Sequence, residues 1–162
     1  MRKGMTQVIC GEGTERTEMA LGKAITEIAR KRKVIIIHFL KGMAREETGE
    51  WLKQLEPELK SFLFEKQNGS LEESGEEQKT EDQMDIQNGL NFARKVLTTG
   101  ECDMLILDEF LEILNQNMIE EEDWRSLLSL REEALDLILT GEMCPESLAE
   151  CVDRVTRIKH VG

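Results

Sequence analysis

A chain of 162 residues, of which 40% are hydrophobic and 33% charged, has the size and composition of one folded domain, which we expect to span residues 1–162. The net charge of −12 argues against nucleic-acid binding, which needs a basic surface to displace counterions from the phosphates. The longest apolar run, at residues 34–40, is far shorter than the roughly 20 residues that cross a membrane, so no membrane partner is expected.

The first residues contain no secretory apolar region before a small-residue cleavage site, which predicts a cytoplasmic location. The cysteines are scattered, contain no C-x-x-C pair, and have only two histidines to help build a metal site. We therefore expect reduced thiols at Cys10, Cys102, Cys144 and Cys151, with the first two at strand ends.

The first half of the chain alternates short β-branched runs with segments of helical period, a pattern typical of a parallel sheet with crossover helices. It predicts strands at residues 6–10, 34–40 and 61–65, and helices at residues 14–29 and 47–55. The second strand is apolar on both faces, as expected for a central parallel strand.

The second half begins with residues 67–83, which are rich in Glu, Gly and Ser and predict an acidic mobile loop. The elements predicted after it are a helix at 84–97, a strand at 103–109, a helix around 124–130, a strand at 135–141, a short helix after Pro145 and a strand at 154–158. The whole predicts an α/β fold, a mostly parallel, Rossmann-like sheet of about six strands with helices on both faces.

The turn after the first strand contains Gly11 and Gly13, which allow backbone N–H groups to approach a phosphate at the positive end of the next helix. Arg16 and Thr17 stand where the lysine and threonine of a phosphate loop would hold terminal phosphates and Mg²⁺. Because the usual G-K-[ST] sequence is missing, an ordinary tight turn into a helix is the alternative.

Two further strand ends are expected at the same edge of the sheet. Asp108 and Glu109 follow an apolar strand, the arrangement in which a carboxylate holds Mg²⁺ beside phosphates. Thr140, Gly141 and Glu142 end another strand, and the simpler interpretation there is that Gly141 turns the chain.

Three other side chains are interpreted as structural. His38 lies in an apolar strand with no nucleophile near it in sequence, which favours a hydrogen-bonded core or edge histidine over a catalytic base. Trp51 and Trp124 fall on apolar helix faces and are predicted to lie in the core.

Taken in order, these segments resemble the ATP:corrinoid adenosyltransferases of the cob(I)yrinic acid a,c-diamide type. The resemblance covers nearly the whole chain, in the right order and spacing. The matching segments are residues 11–17, 20–22, 36–42, 49–50, 105–109, 139–141, 155–156 and 159–160.

The resemblance implies a P-loop fold, a homodimer, and binding of ATP with Mg²⁺ and a reduced corrinoid in cobalamin biosynthesis. The cobalt of the corrinoid would attack C5′ of ATP and expel triphosphate, so the reaction needs alignment and charge stabilisation but no side-chain nucleophile. No catalytic residue is therefore assigned. The implied nucleotide-binding residues are Gly11, Gly13, Thr14, Arg16 and Thr17, and the implied metal-binding residues are Thr17, Asp108 and Glu109.

The sequence departs from the family at the loop and at the corrinoid site. Glu12, Glu15 and Glu18 replace an asparagine, a glycine and the second threonine, and Glu142 replaces an arginine. The aromatic segment beneath the corrinoid falls at residues 72–74, which contain no aromatic residue. A carboxylate about 4 Å from a phosphate lowers affinity by about three decades at a partly screened dielectric.

Two hypotheses follow from these departures. In the first, the chain is a divergent adenosyltransferase that uses Arg16 and Thr17 on the triphosphate. In the second, it is a non-catalytic relative that acts as a binding or regulatory protein. A well-formed loop with a bound anion would favour the first, and Glu15 filling the phosphate position would favour the second.

Overall fold

The computed structural model describes residues 3–40, 46–64 and 75–162, without the side chains of residues 46–49 and 75–80. Within these residues the strands are β1 (Thr6–Gly11), β2 (Val34–His38), β3 (Leu59–Leu63), β4 (Met104–Asp108), β5 (Asp136–Gly141) and β6 (Arg154–Ile158). The helices are α1 (Glu15–Ala29), α2 (Glu46–Lys53), α3 (Gly75–Thr99), α4 (Phe110–Asn115), α5 (Glu121–Ser129) and α6 (Glu146–Ala149). Among the helices of the described ranges, none combines the length and the apolar character needed to cross a membrane.

The strands form one sheet in the order β3-β2-β4-β5-β1-β6, and each described pair of neighbours is parallel. The predicted α/β fold with a mostly parallel sheet is thus confirmed. Because all strands run the same way, their carboxyl ends meet at one edge, where ligands bind in open sheets of this kind.

Alternate residues of the central strands β1, β2, β4 and β5 enter two separate hydrophobic cores. In β2, Val34 and Ile36 pack on one face of the sheet with side chains of α1 and α2. Ile35 and Ile37 pack on the other face with side chains of α3, α4, α5 and α6. The near-continuous apolar run of β2 follows from this burial on both faces.

The predicted loop at residues 67–83 is wrong in its second part, because residues 75–83 belong to α3. Residues 67–74 lie outside the described residues, and mobility of the segment stays a prediction. The stretch from Gly75 to Gln83 is mostly Glu, Gln, Lys and Asp, of which all but Asp have high helix propensity. Polar composition alone therefore does not distinguish a solvated helix from a loop. The short helix α4 had no predicted counterpart.

The two tryptophans, both predicted to lie in the core, lie in different environments. Trp124 is buried as predicted, with 4% of its surface exposed. The prediction for Trp51 is wrong, since 46% of its surface is exposed while the adjacent Leu52 is buried. Successive helical residues point about 100° apart, so the apolar face of α2 passes through Leu52 and leaves Trp51 outside it.

The four cysteines are free, as predicted, and differ in access to solvent. Burial raises the pKa of Cys102 to about 12, with the charges of Asp103 and Glu101 adding to the effect. At pH 8 its thiolate fraction is about a thousandfold below that of an ordinary thiol. We expect a thiol reagent to label the exposed Cys151 long before Cys102, as read by mass spectrometry, while denatured protein labels at both. Equal rates in the native protein would contradict this packing.

Candidate functional site

The carboxyl edge of the sheet brings together the segments that the sequence singled out. The turn between β1 and α1 lies at this edge, and Glu109 follows β4 there. β5 lies between β1 and β4, so Gly141 and Glu142 are at the same edge. Lys159 and His160 follow β6. The predicted phosphate turn and the predicted acidic pair thus belong to one region.

The backbone of the turn requires its glycines. Gly13 has φ of +83°, in the left-handed region that residues with a Cβ rarely adopt. At Gly11 a Cβ would lie 2.4 Å from the carbonyl oxygen of Ile158 in β6. Both glycines are therefore explained by backbone geometry and close packing, whether or not a phosphate binds.

Arg16 points into the turn and is held by the chain's own acceptors. Its Nη1 donates to the carbonyl oxygens of Gly11 at 2.7 Å and Gly13 at 3.0 Å. Its Nε donates to Oε1 of Glu109 at 3.1 Å, and its Nη2 lies 3.0 and 3.2 Å from the two carboxylate oxygens. A guanidinium has five N–H donors, and these contacts engage all three of its nitrogens.

Glu109 is the counterion of Arg16. It has φ of +63° and directly precedes α4, and its side chain is 12% exposed. Burial raises its pKa, and the charge of Asp108 raises it further, while Arg16 lowers it. The bidentate contact with a planar guanidinium fixes the position of this carboxylate.

Asp108 belongs to a buried hydrogen-bond network. Its Oδ2 lies 3.0 Å from Nδ1 of His38, and its Oδ1 accepts from the hydroxyl of Thr140 at 3.0 Å. Nε2 of His38 lies 2.6 Å from Oγ of Ser61. A carboxylate oxygen accepts hydrogen bonds, so Nδ1 of His38 is the donor to Asp108. The prediction of a hydrogen-bonded core histidine is confirmed.

The carboxylate of Glu15 lies at the amino end of α1. Its Oε1 is 3.2 Å from Nε2 of His160, and its Oε2 is 2.6 Å from the position that a Cβ on Gly13 would take. Within the described ranges Oε2 is buried and has no hydrogen-bond partner of good geometry. The pKa of Glu15 is nonetheless lowered, first by its own backbone N–H and then by His160 and the N–H of Thr14, against the opposing effect of desolvation.

The amino end of a helix is the place where a phosphate of a nucleotide binds in a loop of this kind, since its N–H groups and dipole attract anions. Here that end faces the side chain of Glu15. Thr14 precedes α1, and its carbonyl oxygen accepts the N–H groups of Thr17 at 3.0 Å and Glu18 at 3.2 Å. Thr17 is half-buried in the first turn of the helix.

As arranged here, the acidic pair does not fit a Mg²⁺ ion. Both oxygens of Asp108 are engaged with His38 and Thr140, and Glu109 is paired with Arg16. Among the described residues no group of three His, Cys, Asp or Glu side chains could hold a metal ion. The metal-binding role of Thr17, Asp108 and Glu109 stays a prediction.

Gly141 does not turn the chain, which corrects the simpler interpretation of this residue. It is the last residue of β5, and a Cβ there would lie 2.3 Å from Cβ of Leu111. Its small size lets α4 pack against the strand end. The N–H of Glu142 donates to Oε1 of Glu112 in α4 at 2.8 Å, so the next residue is also tied to this helix.

Thr140 and His160 were missing from the predicted site residues. Thr140 connects the acidic pair, because its hydroxyl donates to Asp108 and accepts the N–H of Glu109 at 3.0 Å. The sequence signal for Thr140 was the position of its hydroxyl group, after the apolar residues 137–139 and before a glycine. His160 pairs with Glu15 from a distant part of the chain, which no local pattern indicates.

A cavity of about 460 Å³ adjoins the turn. It is lined by residues of the turn and by the segments that follow β5 and β6. Arg157, Lys159 and His160 supply its basic groups, and Glu12 and Glu142 supply its acidic groups. The cavity is therefore the place beside the turn where an anion would meet cationic side chains other than Arg16.

Comparison with known proteins gives a consistent result. The family model for ATP:corrinoid adenosyltransferases BtuR/CobO/CobP matches residues 2–162. The corrinoid adenosyltransferase of Escherichia coli strain K12 is 24% identical over 159 residues, which cover 98% of this chain and 78% of that protein. The uncharacterized protein all2391 of Nostoc sp. is 24% identical over 166 residues, covering 96% of this chain. This chain spans 44% of the length of the Nostoc protein.

Proposed function

The chain belongs to the ATP:corrinoid adenosyltransferase family, and we propose that it is a non-catalytic member whose phosphate loop is closed by its own side chains and which acts as a binding or regulatory protein. The observation that carries this proposal is the carboxylate of Glu15 at the amino end of α1, paired with His160. An intramolecular carboxylate in this position competes with the phosphate of a nucleotide.

Binding of a triphosphate would require two changes in the loop. The carboxylate of Glu15 would have to leave the amino end of α1, because two anions a few ångströms apart repel each other strongly. Arg16 would have to release Glu109 and two backbone carbonyl groups before it could contact a phosphate. Both rearrangements give up contacts that the loop already makes, so they lower the net affinity for a triphosphate.

Transfer of the 5′-deoxyadenosyl group would also lose its main source of rate enhancement. Expulsion of triphosphate depends on preorganised positive groups aimed at the developing charge. Arg16, the cation of this loop, is directed toward Glu109 and the backbone instead. The corrinoid as ligand remains a proposal from the family, and the position of the family's aromatic segment, residues 72–74, lies outside the described residues.

Titration of MgATP into the purified protein by calorimetry tests the proposal. We expect no saturable binding up to about 1 mM ATP. The repulsion lowers affinity by about three decades, which moves the dissociation constant of an ordinary micromolar site to that range. A dissociation constant in the micromolar range, with adenosylation of a reduced corrinoid at an ordinary rate, would overturn it. Circular dichroism of the same sample shows that the protein is folded.

The second candidate function is that of a divergent adenosyltransferase. The observation that favours it is the group of cations Arg157, Lys159 and His160 in the cavity beside the turn, which could take up triphosphate charge without Arg16. In this case ATP with Mg²⁺ would displace Glu15 toward solvent. The change in the absorption spectrum of a reduced corrinoid on adenosylation distinguishes this candidate from the first.

Three further properties are proposed from the family and the sequence. A homodimer is expected from the family, and light scattering of the purified protein measures it. A cytoplasmic location agrees with four free cysteines. A single domain over residues 1–162 agrees with one sheet that includes all described strands.

A further inference from the structure

A second cavity lies at the opposite edge of the sheet from the phosphate loop. Its volume is about 960 Å³. It is bounded by the residues that precede β2 and β3, by β3 itself and by Phe92 of α3. Because it lies at the amino ends of the strands, it is separate from the loop, the acidic pair and the cavity beside them.

The inner surface of this amino-edge cavity is apolar and aromatic. The rings of Phe62 and Phe92 are 4.7 Å apart between centroids and inclined by 49°. Ile28 at the end of α1 and Ile35 in β2 also line it. These side chains are only partly buried, apart from Ile35, so they present a surface on which a flat apolar group could pack.

The rim of the cavity is basic, although the whole chain carries a net charge of −12. Lys31, Lys33 and Lys60 line it, all exposed, and their ammonium groups have no ion pair among the residues that the structure describes. Arg32 also lines it but is already paired, since its Nε lies 3.1 Å from Oε2 of Glu27. Without Arg32, three basic residues remain against two acidic residues in the lining, Glu58 and Glu101, so the cavity carries a small excess of positive charge on an acidic protein.

We propose that the amino-edge cavity binds a small amphipathic organic anion. Its aromatic or alicyclic body packs against Phe62 and Phe92, and its carboxylate or phosphate faces Lys31, Lys33 and Lys60. The volume falls within the range of roughly 300–1,000 Å³ that is usual for small-molecule sites. An anionic group fits this rim better than a cationic one, because the exposed ammonium groups attract a negative charge and repel a positive one. This site does not depend on the proposed function of the phosphate loop.

The fluorescent probe 8-anilinonaphthalene-1-sulfonate, an aromatic anion, tests the proposal on the full chain. We expect saturable binding of one probe per chain, with affinity that falls as salt concentration rises. In ¹H–¹⁵N correlation spectra, the shifts should concentrate at residues 31–35 and 60–62. Lys60→Glu reverses an exposed charge on the rim and should weaken binding at least about tenfold.

The matched control is Lys159→Glu, which makes the same charge change on an exposed lysine at the other edge of the sheet. It should alter probe affinity less than twofold, apart from the general effect of net charge. Absence of saturable binding would overturn the proposal. The proposal would also be overturned if Lys159→Glu weakened probe binding and Lys60→Glu did not. The probe would then occupy the cavity beside the phosphate loop.

Discussion

The double variant Glu15→Gly, Arg16→Lys is expected to bind MgATP at least about 100 times more tightly than the natural chain. Removal of the Glu15 side chain frees the amino end of α1 from the carboxylate that now faces it. Glycine also restores backbone freedom where the loop must curl around a phosphate. The compact ammonium of lysine replaces a planar fork that is bulky for a tight phosphate cradle and that pairs here with Glu109.

Calorimetry with MgATP measures this gain, and two single variants separate its causes. Glu12→Gln removes an equal charge from an exposed residue of the same turn. Glu15→Gln removes the charge but keeps the bulk of the side chain. We expect Glu12→Gln to change affinity only a few-fold, and Glu15→Gln to recover part of the gain. An equal effect of Glu12→Gln and the double variant would show that net charge, and not the position of Glu15, limits binding.

Adenosylation need not return in the double variant. The aromatic residues that the family places beneath the corrinoid are missing from residues 72–74. Alignment of cobalt with C5′ of ATP would therefore stay poor even with ATP bound. A tight complex with MgATP but no adenosylation is the expected result, and it would separate the loss of nucleotide binding from the loss of the corrinoid site.

The fold was largely predictable because its signals are local. Buried strands such as β2 and β4 appear as short apolar runs, and the strand–turn–helix at Gly11 and Gly13 indicates a loop at the carboxyl edge. The beginning of α3 was not predictable from apolar periodicity, since Gly75–Thr99 starts with almost entirely polar residues. The position of Trp51 depended on which face of α2 meets the core, which composition does not reveal.

The sequence predicted which segments meet at the carboxyl edge of the sheet, but not the contacts that their side chains make. The sequence placed Arg16 and Glu109 in the same region, but the direction of a guanidinium depends on side-chain rotamers and on partners far along the chain. The network of Asp108 depends on register, because β2 and β4 pair with His38 beside Asp108, 70 residues apart in sequence. No local pattern contains this information.

The role of Asp108 gives the second large expected effect, which is on stability. We expect Asp108→Ala to lower the free energy of unfolding by about 2–6 kcal/mol, because two buried donors lose their acceptor at a cost of about 1–3 kcal/mol each. The carboxyl group is fully buried, and its loss leaves Nδ1 of His38 and the hydroxyl of Thr140 without their acceptor. Urea denaturation followed by circular dichroism measures the change.

Asp103→Ala is the matched control, at the residue that directly precedes the other end of β4. This carboxylate is partly exposed, accepts the N–H of Lys33 at 2.9 Å and lies 3.9 Å from Arg32, so its loss should cost about 1 kcal/mol or less. If Asp108 were chiefly a ligand for Mg²⁺, its removal would leave the stability of the metal-free protein nearly unchanged. Equal, small effects of the two variants would therefore contradict the structural role of the network and favour the metal-binding role instead.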